Sequence, residues 1–74
     1  MKLRVGDAVI VKRASGVVLQ RCKISSVGIR QFGSGPDCAG DDEFRYQVRQ
    51  KRSGDAWPID VKVHLQDGDK IEKV

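Results

Sequence analysis

One histidine, His64, and two cysteines, Cys22 and Cys38, are all that this 74-residue chain offers to a borderline or soft metal ion. No two of them stand at zinc-ligand spacing, and a structural zinc site needs four such ligands, so no metal is expected. The cysteines are also too few for a disulfide framework. Cys22 falls in a strand-like run and Cys38 in a polar loop, which predicts two reduced thiols. No long apolar run exists, and the opening Met1-Lys2-Leu3-Arg4-Val5-Gly6-Asp7 lacks the core of a signal peptide. The expectation is a cytoplasmic protein with no membrane partner. Gly33-Ser34-Gly35-Pro36 has no Lys-Ser or Lys-Thr after it, so it is not a phosphate-cradling P-loop, and no cofactor is expected. Internal repeats, low-complexity stretches, a protruding basic tail and apolar residues at helical spacing are all missing, which leaves little room for helix.

What is present fits one soluble domain. The chain is too short for two cores, and its 39% hydrophobic and 32% charged residues suit a globular protein. A core this small contributes little net stability, so a homo-oligomer is open as a way of burying more surface. Net charge is +4, and the signs are segregated. Residues 1–36 set seven Lys or Arg against Asp7 alone, 37–43 add four acids, and 44–52 add four bases. A positive balance of this kind favours an acidic partner.

Ala8-Val9-Ile10-Val11-Lys12-Arg13 follows a Gly-Asp turn signal and is rich in β-branched residues, which predicts a strand. Ala14-Ser15-Gly16 reads as a turn. The run from Val17 to Ile29 is long for one strand; alternation puts Val18, Gln20, Cys22 and Ile24 on one face and Leu19, Arg21, Lys23 and Ser25 on the other. A bulge at Ser25-Ser26 would flip that parity and return Val27 and Ile29 to the inner side as the strand bends. Arg30 to Glu43, with Gly33, Gly35, Gly40, Pro36 and clustered acids, reads as an exposed, mobile loop.

The clearest pattern comes next. Phe44, Tyr46 and Val48 alternate with Arg45, Gln47 and Arg49, as a half-buried strand requires. Arg52-Ser53-Gly54-Asp55 carries turn chemistry, and Trp57, Ile59, Val61, Val63 and Leu65 alternate with Pro58, Asp60, Lys62 and His64, which predicts a hairpin. Gln66-Asp67-Gly68-Asp69 makes a further turn before a short last strand at 70–74. The expected fold class is all-β: an SH3-like small barrel of about five antiparallel strands, a single domain over 1–74.

Val5-Gly6-Asp7 before Val9-Ile10-Val11, the basic-Ser-Gly turn, the long bent second strand and the late hairpin together resemble the SH3-like small barrels. That superfamily includes KOW modules, Tudor domains and a photosystem accessory subunit, and the resemblance implies a fold without implying a function. A narrower likeness is to the plasmid-borne, trimethoprim-insensitive type II dihydrofolate reductases. Gly6-Asp7-Ala8-Val9, Lys12, Ser15-Gly16 and Val61-Lys62-Val63-His64 are similar to that family's Gly-Asp-x-Val, Lys, Ser-Gly and Val-Gln-Ile-Tyr. This likeness implies an oligomeric enzyme with a shared pore, although the pore-lining Gln-Ile-Tyr is here Lys62-Val63-His64.

The functional expectation rests on the outward face of the middle strands. Alternation sets Arg21 and Lys23 on one strand and Arg45, Arg49, Lys51 and the adjoining Arg52 on another, so pairing would gather a basic patch able to contact phosphates. The alternative is a plain solvated sheet face, since Phe44, Tyr46 and Trp57 are expected inside, away from any base that would stack on them. His64 has no catalytic partner in sight, and the acids beside Cys38 oppose thiolate formation. The reading is a non-enzymatic binding module, with nucleic acid ahead of a protein partner. A protein adaptor using the 30–43 loop or a sheet edge, and the reductase-like enzyme, stand as alternatives.

Overall fold

Five runs of alternating or β-branched residues become five strands: β1 (Ala8–Lys12), β2 (Val18–Ile29), β3 (Phe44–Ser53), β4 (Pro58–Val63) and β5 (Lys70–Lys73). The computed structural model describes residues 3–29, 38–40, 43–53 and 58–74, and among them there is no α-helix. The strands form one antiparallel sheet in the order β4-β3-β2-β1-β5. All-β architecture with five antiparallel strands is thus as the sequence predicts. Closure is not: β4 and β5 lie at opposite edges and do not pair, so the sheet is open where a barrel was expected. With only four residues, β5 is occupied along its inner side by β1 and reaches no second partner.

Turn chemistry sets the hairpins. Between β1 and β2 the Gly16 amide donates to the Arg13 carbonyl at 2.9 Å, the Arg13 amide donates to Val17 at 2.7 Å, and Gly16 takes φ 96°. That left-handed residue after a tight turn gives the strands the twist a short hairpin needs. β3 and β4 pair from Val48↔Val63 out to Ser53↔Pro58, so the strand runs through Arg52 and Ser53, which composition placed in the turn.

β2 serves two partners. Its first half pairs with β1, and from Cys22 onward it pairs with β3. Two bulges let it bend. The one at Ser25, between the Ile24↔Val48 and Ser26↔Gln47 pairs, is as expected; the Ser25 hydroxyl donates to the Gln47 carbonyl at 3.2 Å, supplying a donor where the ladder is broken. After it Val27 packs against the core, but Ile29 stays 75% exposed. The second bulge was not expected. Gln20 and Arg21 fit between the Val9↔Cys22 and Val11↔Leu19 pairs, with Arg21 at φ 59°. This extra parity flip puts Leu19, not Val18 or Gln20, on the core side with Cys22 and Ile24.

Leu3, Val9, Val11, Cys22, Ile24, Tyr46, Val48, Val63 and Leu65 make the core, with Leu19, Val27, Ala39, Phe44 and Ile71 packed on it. Phe44 and Tyr46, two apart on one face, set their rings 6.4 Å apart at 44°. Along β4 burial fades toward the turn: Val63 is buried, Val61 half-buried and Ile59 46% exposed. Trp57 and most of the 30–43 loop lie outside the described residues. Cys38, expected in an exposed loop, is buried, and both cysteines are free thiols.

One buried acid ties two turns together. The Asp69 carboxylate accepts from Arg13 Nη1 at 2.5 Å, from the Ala14 amide at 3.2 Å and from the Gln66 amide at 2.9 Å, while Arg13 also donates to the His64 carbonyl at 2.8 Å. Burial pushes its pKa up, but the hydrogen bonds from Gln66, Arg13 and Ala14, with the Arg13 charge, outweigh burial and hold it below the usual value. Among the described residues no buried side-chain nitrogen or oxygen lacks a hydrogen-bond partner.

Candidate functional site

Antiparallel register decides which outward side chains meet. Lys23 on β2 stands opposite Arg49 on β3, and Arg49 stands opposite Lys62 on β4, so three cations form one row across three strands. Neighbouring strands are about 4.8 Å apart, which makes the row roughly 10 Å long. Two residues along, Lys51 stands opposite Asp60, and Arg21 of β2, beyond the last β2–β3 pair, borders the same hollow. Arg21, Lys23, Arg49, Lys51 and Asp60 line a shallow open depression of about 340 Å³. The five cations of the two rows are all exposed.

The bulges in β2 build this surface. They bracket Cys22-Lys23-Ile24, so Cys22 and Ile24 enter the core while Lys23 faces out beside Arg49. The Gln50 amide on the other face donates to the Gln20 carbonyl at 3.0 Å, and the Cys22 thiol approaches the Leu19 and Gln20 carbonyls at 3.6 Å, which occupies backbone acceptors at the Gln20-Arg21 bulge. Arg49 is partly preorganised: its Nη2 donates to the Asp60 carbonyl at 3.1 Å, laying the guanidinium across β4. Cys22 borders the depression, but its side chain is turned into the core and stays a thiol, because burial pushes its pKa up and outweighs the Val11 backbone contact and the Arg13 charge.

Of the six basic residues expected on one patch, four lie around one depression. Arg21, Lys23, Arg49 and Lys51 share the depression. Arg45 faces the same way but pairs with Gly28, four residues along β3 from Arg49, and it borders a separate hollow of about 190 Å³ with Gln47 and Ser26. Arg52 has the opposite parity and donates from Nε to Gln50 Oε1 at 3.0 Å on the other face. Lys62 is the residue that sequence reasoning left out. Its outward parity was visible, but its place beside Arg49 depends on the hairpin register.

Like charges opposed on neighbouring strands repel and destabilise the pairing. The arrangement can therefore hold an anion with several charges, which would relieve that repulsion. Aromatic rings do not contribute: among the described residues Tyr46 is buried and Phe44 packs against the core. No helix in the described residues is long and apolar enough to cross a membrane. Neither a family model, nor a curated protein, nor a solved structure matches this chain.

Proposed function

We propose that this chain is a small non-enzymatic binding module of SH3-like outline that takes nucleic acid on its cationic sheet face. The observation that carries the reading is the Lys23–Arg49–Lys62 row with Arg21 and Lys51 beside it. Five exposed cations against Asp60 form a surface that neutralises phosphates and releases condensed counterions. The two sheet edges favour this over an adaptor that pairs with an added strand. β4 starts with Pro58 and carries Asp60 and Lys62, and β5 is short and carries Lys70, Glu72 and Lys73, which are features that discourage edge pairing. The reductase-like alternative needs residues 61–64 to line a shared pore, whereas Val63 packs in this chain's own core and Lys62 belongs to the cationic row.

The test is titration of labelled mixed-sequence oligonucleotides with the full chain at rising salt. Affinity is expected to fall steeply between about 50 and 200 mM salt. Absence of binding at the lowest salt would overturn the proposal.

A further inference from the structure

Resting on the nucleic-acid reading above, we infer that the form this face takes is a duplex, gripped through its phosphates without reading base sequence. The surface is built for fixed charges. Its cations stand on strands, in rows roughly 5 Å apart across the sheet and about 7 Å apart along it, with Arg49 tethered to the Asp60 carbonyl. A duplex presents one charge per ~1.7 Å of axis on a stiff scaffold, twice the density of one of its strands, and keeps those charges in place without losing chain entropy. Single-strand binders rely on rings that bases stack upon, and among the described residues this face has none.

Nothing in the depression is arranged to read bases. Arg49 is already engaged with a carbonyl, Asp60 repels phosphate at one corner, the Ser25 hydroxyl is spent on the Gln47 carbonyl, and the other three charged side chains, Arg21, Lys23 and Lys51, are cations on long stems. Such a set holds a backbone in register and carries no base code. Arg21 stands at the same face in a costly backbone conformation. A non-glycine residue at φ 59° inside a strand is strained, and this one is at the bulge that borders the cationic depression.

Fluorescence anisotropy of the full chain, with a short duplex and each separated strand as probes and two unrelated sequences, tests the inference. Five cations less Asp60 amount to about four phosphates, so a log–log salt slope of about −3 to −4 is expected, or roughly 100-fold weaker binding from 50 to 200 mM salt. The duplex is expected to bind at least ~10-fold tighter than either strand, with the two sequences equal within about threefold. Arg49→Gln, and separately the exposed Lys62→Gln, are expected to flatten the slope by about 0.9 each while leaving the sequences equal. Single strands binding as tightly as the duplex, or one sequence strongly preferred, would overturn this inference and leave the nucleic-acid reading standing. Failure of every probe at low salt would sink both.

Discussion

Backbone conformation at single residues gives the sharpest expectations. Gly68 has φ 87°, and a Cβ there would lie 2.8 Å from the Ala14 Cβ, so Gly68→Ala adds a clash to a left-handed penalty. A loss of about 2–4 kcal/mol is expected. Gly16→Ala is the control, since φ is 96° but a Cβ would meet nothing within 4 Å, and only about 1 kcal/mol should go. Urea unfolding of the pair checks this; equal losses would show that the contact with Ala14 is unimportant. Arg21 runs the other way. Asn tolerates its left-handed φ of 59° better than Arg does, so Arg21→Asn is expected to raise stability by a few tenths to about 1 kcal/mol. The same change removes one cation and should weaken duplex binding several-fold. Stability and affinity falling together would show that Arg21 is a packing residue only.

At the scale of elements, the cation row makes the sheet's stability depend on salt. Repulsion along Lys23, Arg49 and Lys62 is screened as ionic strength rises. The urea midpoint of the wild type is expected to climb between low and moderate salt, and Arg49→Gln should gain a few tenths of a kcal/mol at low salt and almost nothing at high salt. A salt-insensitive midpoint would mean that the three side chains splay apart. How much of this surface was legible in the sequence follows from the same pairing. The alternation of Phe44, Tyr46 and Val48 against Arg45 and Arg49 was plain, and the small hydroxyl residues Ser25-Ser26 marked their bulge. The bulge at Gln20-Arg21 carries no Gly or Asn to signal a left-handed residue, so parity over Val18–Gln20 was misread, while Cys22, Lys23 and Ile24 face as alternation placed them. Alternation assigns a face and not a cross-strand neighbour. That is why Lys62 was missed; Arg52 was included only as the base adjoining Lys51, and its own parity turns it to the other face.

The whole molecule depends on a junction that no local pattern revealed. Asp69 and Arg13 lie 56 positions apart, and their contact, with the Ala14 and Gln66 amides, fastens the β1–β2 turn to the turn before β5. β4 and β5 do not pair, and this clamp, with Arg13 also donating to the His64 carbonyl, ties the connection between them back to the β1–β2 turn. The Asp69 side chain is only 2% exposed and that of Arg13 21%, so loss of the carboxylate is expected to cost about 2–3 kcal/mol, less than for a fully buried pair. A chain of this size has roughly 4–10 kcal/mol to lose. Asp69 is held below its unfolded pKa of ~3.9, so its contribution is complete above that value and disappears as pH falls through the lower folded one. Thermal unfolding of the wild type is therefore expected to lose melting temperature steeply below about pH 4, and Asp69→Asn, which has no proton to take up there, should be less stable at neutral pH and show a flatter acid limb. Parallel acid limbs for the two proteins would mean that this carboxylate does not carry the acid sensitivity, and that the open sheet is held together without this clamp.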